Sequence, residues 1–235
     1  MPVTHLRSWL RTGYHRLRRL HGLLFKRWHL LLGLQPLRRY ATWDRSLPIC
    51  RHYIQAFMEA HRQYIHGHVL EFQNDAYASR YGRQAVDRLA ILHRDPGNPE
   101  ATMVADITVP GSLPENTFDC IICTQVIHMI AELDVAVQEL YRSLKPGASL
   151  LLTVPQSGPS YQGITEYWRF TEAGLEHFLR KNLPTAQVTC TSYGNSLTAA
   201  GEMRGLSTFE FTEAELNAHD GSFGIIAAAH VTRPC

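Results

Sequence analysis

The chain has 235 residues, 45% apolar and 19% charged, a size and balance that suit one globular domain with an appended segment. Its net charge of +2 conceals an asymmetry: residues 1–40 hold nine Arg or Lys and no acid, leaving 14 of the 23 bases against all 21 acids elsewhere, a net of −7. The acidic body disfavours a nucleic-acid binder. Five cysteines, an odd number spread along the chain, disfavour a disulfide framework and favour a reducing, cytoplasmic setting.

In the basic head, Leu6, Leu10, Leu17, Leu20, Leu24, Trp28 and Leu31 recur at roughly helical spacing, with Arg and His between them. Gly13, Gly22 and Gly33 interrupt the pattern and Pro36 ends it. The apolar run at 30–34 is far too short to span a bilayer, and the recurring bases do not read as a secretory signal. Three readings stand: an amphipathic element on an anionic membrane surface, a helix packed on the domain or on a protein partner, or an organellar transit segment. The division this implies is residues 1–42 as head and 43–235 as domain.

Past Trp43 the texture changes. A turn around Pro48 leads into a helix with Ile49, Tyr53, Phe57 and Tyr64 near one face. HVLEF (68–72) reads as strand one and AYASRYG (76–82) as a short helix. AVDRLAIL (85–92) reads as strand two, ATMVADI (101–107) as strand three and FDCIICTQVI (118–127) as strand four, buried on both faces. Cys120 and Cys123 lie three apart on that strand, so their sulfurs diverge to opposite faces, which argues against a metal or redox pair. DVAVQELYRSL is an amphipathic helix closed by Lys145-Pro146-Gly147, and SLLLTVP is strand five. Thr171 is placed to cap the helix TEAGLEHFLRKNL. AQVTCTSYG and FGIIAAAHVTR are two final strands, with helical pieces between them. Alternating strands and helices predict an α/β, Rossmann-like sheet of seven mostly parallel strands, with helices on both faces and ligands at the carboxyl ends of its strands.

The run from Asp106 to Pro155 carries a resemblance. Asp106, Phe118-Asp119, His128, Glu139, Arg142, Leu144-Lys145-Pro146-Gly147 and the apolar run ending in Pro155 resemble the second half of class I S-adenosylmethionine-dependent methyltransferases, of the bacterial type 11-like kind. EYWRFTEAGLEHFL resembles the segment after strand five in that family, and the whole likeness covers about 43–233. It implies S-adenosylmethionine as cofactor. Glu71 and Phe72 would end strand one below the methionine part. Asp106 would accept from the adenine amino group and Ile107 would pack on that ring. Thr124 and Gln125 would line the floor near the sulfonium. Glu139, Arg142 and Lys145 read as scaffold charges.

The first half departs from the family. Gln73, Asp75 and Tyr77 stand where it has glycines, which serve close backbone approach and positive φ. Asn74-Asp75 tolerate the left-handed region and so can keep a similar turn. The Gln73 side chain either fills the methionine space or bonds the cofactor's carboxylate or amine. Ala90 looks like the equivalent of the acid that binds the ribose hydroxyls, and losing that contact costs on the order of 1–3 kcal/mol.

His128, just after strand four, is the candidate general base. Tyr167, Trp168 and Arg169 are candidates for an acceptor pocket, Arg169 suiting an anionic or polyhydroxylated molecule. Tyr53 and Arg45 are weaker candidates at the same mouth. Two functions follow: methyl transfer to a hydroxyl or amine of a small or glycan-like acceptor, or a non-methylating role on the same fold, as a cyclase, isomerase or partner subunit.

Overall fold

The computed structural model describes residues 17–26, 28, 30, 31, 34–38, 46–161 and 163–235. Leu6, Leu10, Trp43 and Arg45 lie outside the described residues. Residues 17–26 form helix α1. The domain then runs α2 (Ile49–Ala60), β1 (Gly67–Phe72), β2 (Val86–His93), β3 (Met103–Val104), β4 (Phe118–Thr124), α3 (Leu133–Ser143), β5 (Leu144–Pro155), α4 (Glu172–Asn182), β6 (Gln187–Tyr193), α5 (Ser196–Arg204), α6 (Glu213–Asn217) and β7 (Ile226–Thr232).

The seven strands form one sheet in the order β3-β2-β1-β4-β5-β7-β6. All neighbours from β3 to β5 are parallel, and β7 is antiparallel to both β5 and β6. Strand order reverses between β1 and β4, so their carboxyl ends open a crevice where α/β sheets bind ligands.

The alternation of side chains along β4 divides the core into two layers. Ile121 and Cys123 join Leu70, Leu150 and Leu152 beneath α3 and α4. Cys120 and Ile122 join Val69, Leu151 and the α2 residues Ile49, Tyr53, Ile54 and Phe57. The two cysteines therefore do face opposite ways, and both are fully buried. Thr171 caps α4 by accepting from the Gly174 amide at 3.1 Å. At the end of α5, Gly205 adopts φ 73, and a Cβ there would come within 2.5 Å of the Arg38 carbonyl. Leu37 donates to the Arg204 carbonyl at 2.9 Å, tying the head to this helix end.

Two elements differ from the sequence reading. AYASRYG forms a single π-turn (Ala78–Gly82) followed by a 3₁₀ turn (Arg83–Ala85), not an α-helix. The link between β1 and β2 is close to the minimum a parallel crossover needs. Strand three is only Met103–Val104, because it pairs with just the last residues of β2.

Candidate functional site

Two cavities adjoin at the carboxyl ends of the parallel strands, with Gln73 and Met129 in the walls of both. The first, of about 460 Å³, is lined by Phe72, Leu92, His93, Arg94, Asp106 and Ile107, with Val126 and Ile130 closing it. The second, of about 270 Å³, is lined by Arg51, Gln125, His128, Tyr161, Glu166, Arg169 and Glu202. Both fall near the size range of small-molecule sites.

The loop after β1 keeps a glycine-like backbone without a glycine. Gln73 has φ 75, a region that costs a side-chain-bearing residue about 1–2 kcal/mol. Its amide donates to the Leu92 carbonyl at 3.1 Å and its carbonyl accepts from Asn98 Nδ2 at 2.6 Å. The Asn74 side chain accepts from the Ala76 amide at 3.2 Å, an Asx turn. Asp75 is exposed, accepts from the Ser79 hydroxyl and lines neither cavity. Glu71 turns under the loop: it is 2% exposed and accepts from the amides of Tyr77 (2.9 Å) and Ala78 (2.7 Å). Burial pushes its carboxyl up to about 7, against the pull of those two amides. Glu71 thus holds the loop from below and is not part of either cavity wall.

Asp106 follows β3. Its Oδ1 accepts from the Thr108 amide (3.0 Å) and hydroxyl (2.7 Å), and its Oδ2 lies 3.2 Å from Arg94 Nε. The Thr108 bonds, and then the Arg94 charge, hold its carboxyl below the usual range. Ala90 lines neither cavity. It is buried in the interior of β2, which runs on to His93, so His93 and Arg94 rim the cavity instead.

In the second cavity His128 sits in a 3₁₀ turn (Ile127–Met129) and is 5% exposed. Its Nε2 lies 3.7 Å from Glu166 Oε1, an electrostatic contact too long for a hydrogen bond, and its Nδ1 is buried without a protein partner. Burial presses its pKa down to about 4; Glu166 opposes this and Arg169 adds to it. The imidazole is therefore neutral at pH 7. Arg169 pairs with Glu166 and donates to the Pro159 carbonyl at 3.3 Å. Glu202 reaches from α5 to the start of α2, accepting from the Cys50 amide at 3.3 Å, and so caps a helix whose own Pro48 offers no side-chain cap. Arg51 donates to the Tyr77 hydroxyl at 3.1 Å.

The other expected site residues fall elsewhere. Tyr53 is core: its hydroxyl donates to the Leu216 carbonyl at 2.9 Å on the far side of α2. Tyr167 rims the first cavity, not the second. Trp168 donates to the Ile130 carbonyl at 2.8 Å and lines neither. Thr124 pairs with Thr153 in the sheet and also lines neither, while Gln125, at φ 55, does line the second. Arg51, Tyr161, Glu166 and Glu202 were not anticipated. Only Glu166 carries a local signal, its spacing of three from Arg169. Glu139 accepts from the amides of Gly111 and Leu113 and pairs with Arg142, a scaffold role as expected.

A family model described as "Methyltransferase domain" matches residues 58–152. No curated protein matches in sequence. Among solved structures, the Burkholderia thailandensis 1,6-didemethyltoxoflavin-N1-methyltransferase, with its substrate and S-adenosylhomocysteine bound, superposes with a TM-score of 0.54 at 13% identity, over 82% of this chain and 81% of that one. The [4+2]-cyclase SpnF superposes at 0.52 and 15% identity, over 92% and 96%. A chain from the complex of the Haloferax volcanii Trm112 methyltransferase activator with a methyltransferase gives 0.52 at 16% identity, over 80% and 94%. Identities this low speak for the fold alone. The matched region runs from the end of α2 through most of β5, and with the strand order described above it shows the fold of class I S-adenosylmethionine-dependent methyltransferases.

Proposed function

We propose that the chain binds S-adenosylmethionine across the two cavities and transfers its methyl group to a hydroxyl or amine of a small, sugar-like acceptor. The observation that carries this reading is the pair of cavities meeting at Gln73 and Met129, the first setting apolar side chains beside Asp106, the second lined by Arg51, His128, Glu166, Arg169 and Glu202. The residues fit a nucleoside in the first: Ile107, Val126 and Ile130 offer faces for a flat ring and Asp106 a carboxylate for its amino group. When bound, the cofactor supplies a sulfonium methyl open to attack by oxygen or nitrogen.

The chain's own part is alignment and proton handling. Arg169 and Glu166 orient acceptor hydroxyls. His128, in the wall of the second cavity, is the base, and Glu166, 3.7 Å from its Nε2, stabilises the imidazolium that forms.

A non-methylating role has one observation in its favour. The end of β2 presents His93 and Arg94 instead of an acid, and Arg94 pairs with Asp106. Incubation with methyl-tritiated S-adenosylmethionine and a panel of polyhydroxylated and amine acceptors separates the two. Label transfer that His128→Ala lowers supports methylation. Binding of the cofactor without transfer to any acceptor supports the alternative.

A further inference from the structure

Helix α1 sits on the domain the wrong way round for a helix at a protein–water surface. Such a helix turns its apolar stripe to the core and its charges outward. The stripe of this segment that meets the domain is Arg18, Gly22, Lys26 and Leu30, four apart and so on one face. The Arg18 guanidinium lies 4.9 Å from the Phe209 ring centroid. Gly22 packs on the same ring, where a Cβ would come within 2.8 Å. Lys26 is buried, pairs with Glu215 and lies 5.0 Å from the Phe211 ring. Leu30 packs, half-buried, on the core layer under α2. The apolar residues are left outside: Leu17, Leu20, Leu24, Trp28 and Leu31 are each more than half exposed, and Leu34 is 96% exposed.

We propose that this outward face lies in the interfacial layer of a membrane that carries anionic lipid. Charge favours an anionic lipid surface over the same face of a second copy, which carries the same excess of bases. Residues 1–40 hold nine bases and no acid, and residues 41–235 carry a net of −7. An anionic surface attracts the first and repels the second, which sets the molecule's orientation. The composition agrees: exposed leucines and a tryptophan, with Arg19 exposed among them, are what an interfacial helix presents. No described helix is long and apolar enough to cross a bilayer, so the segment lies on the surface. The domain's anchoring through Arg18, Gly22 and Lys26 keeps the apolar face outward instead of letting it fold back on the core.

The test is co-sedimentation of the full chain with vesicles of phosphatidylcholine, alone or with about 30% phosphatidylglycerol. Binding to the anionic vesicles is expected to be at least about tenfold stronger, and to weaken as salt rises from about 0.1 to 0.5 M and screening lengths shrink. Leu20→Asp with Leu24→Asp, both at exposed sites, lowers it about tenfold or more. Leu31→Asp reads the same loss if circular dichroism shows the double variant to be misfolded. No binding, equal binding to neutral vesicles, or full binding by the folded variants overturns the proposal. So does a dimer in sedimentation velocity that these substitutions dissolve, which assigns the face to a second copy.

Discussion

Raising the pH from about 5 to about 8 deprotonates a carboxyl that this fold prefers to keep protonated. Glu71 is 2% exposed, and burial moves its pKa from an ordinary 4.5 to about 7, despite the amides of Ala78 and Tyr77. Between those two values the folded chain holds a proton that the unfolded chain releases. Its stabilisation is therefore complete below about 4.5 and is lost as the pH rises through about 7. The full span corresponds to about 3 kcal/mol. Glu71→Gln cannot titrate. It can accept from only one of the two amides, a fixed cost of about 1–3 kcal/mol at every pH. Urea unfolding of both proteins at steps across this range measures the difference. Wild type should be the more stable at about pH 5, and its advantage should shrink by about 2.5 kcal/mol by pH 8, or reverse. Other titrating groups, such as His128 and His230, both pressed down to about 4 by burial, are common to the two proteins and cancel. A difference that stays constant within about 1 kcal/mol, or grows with pH, refutes the assigned environment of Glu71.

Gln73→Gly relieves a left-handed side chain but adds freedom to the unfolded chain, so thermal unfolding should place it within about 1 kcal/mol of wild type; Gln73→Val, β-branched at φ 75, should lose about 2 kcal/mol. Glu202→Ala removes the acceptor at the start of α2 and should cost about 1–2 kcal/mol in chemical denaturation, with Glu202→Gln retaining part of it. Once an acceptor is found, His128→Ala should lower kcat by about 10²–10⁴ while leaving cofactor affinity unchanged within a few-fold, a split read from initial rates and calorimetry. An equal loss in cofactor affinity would make His128 a structural residue.

Much of the architecture was legible because apolar runs and caps are local. The β4 pattern fixes which face each cysteine meets, and Thr171 marks the start of α4 without reference to anything distant. The segment after β1 misled because Ala76, Ala78 and Arg80 suit a helix, whereas the buried Glu71 carboxylate captures the Tyr77 and Ala78 amides and fixes a tighter turn. Tyr53 shares a helical face with Ile49 and Phe57, which already marked it as core. Ala90 stays inside the sheet because β2 extends one residue beyond the apolar run, to His93, which rims the first cavity. At the site, residues inside family-like motifs, Asp106, Ile107, Gln125 and His128, do line the cavities. Arg51, Tyr161 and Glu202 reach the same cavity from α2, from the stretch after β5 and from α5. Only the folded sheet brings those segments together, and no spacing in the sequence encodes it.

If the Gln73-Asn74-Asp75 loop works as a variant of a glycine loop, the first cavity takes the nucleoside of the cofactor. Isothermal titration of the purified chain with S-adenosylhomocysteine tests it most directly. Saturable binding in the micromolar range is expected, weakened about ten- to a hundredfold by Asp106→Ala, the loss of one charge-assisted hydrogen bond. No binding up to about millimolar ligand, or binding indifferent to Asp106→Ala, contradicts it.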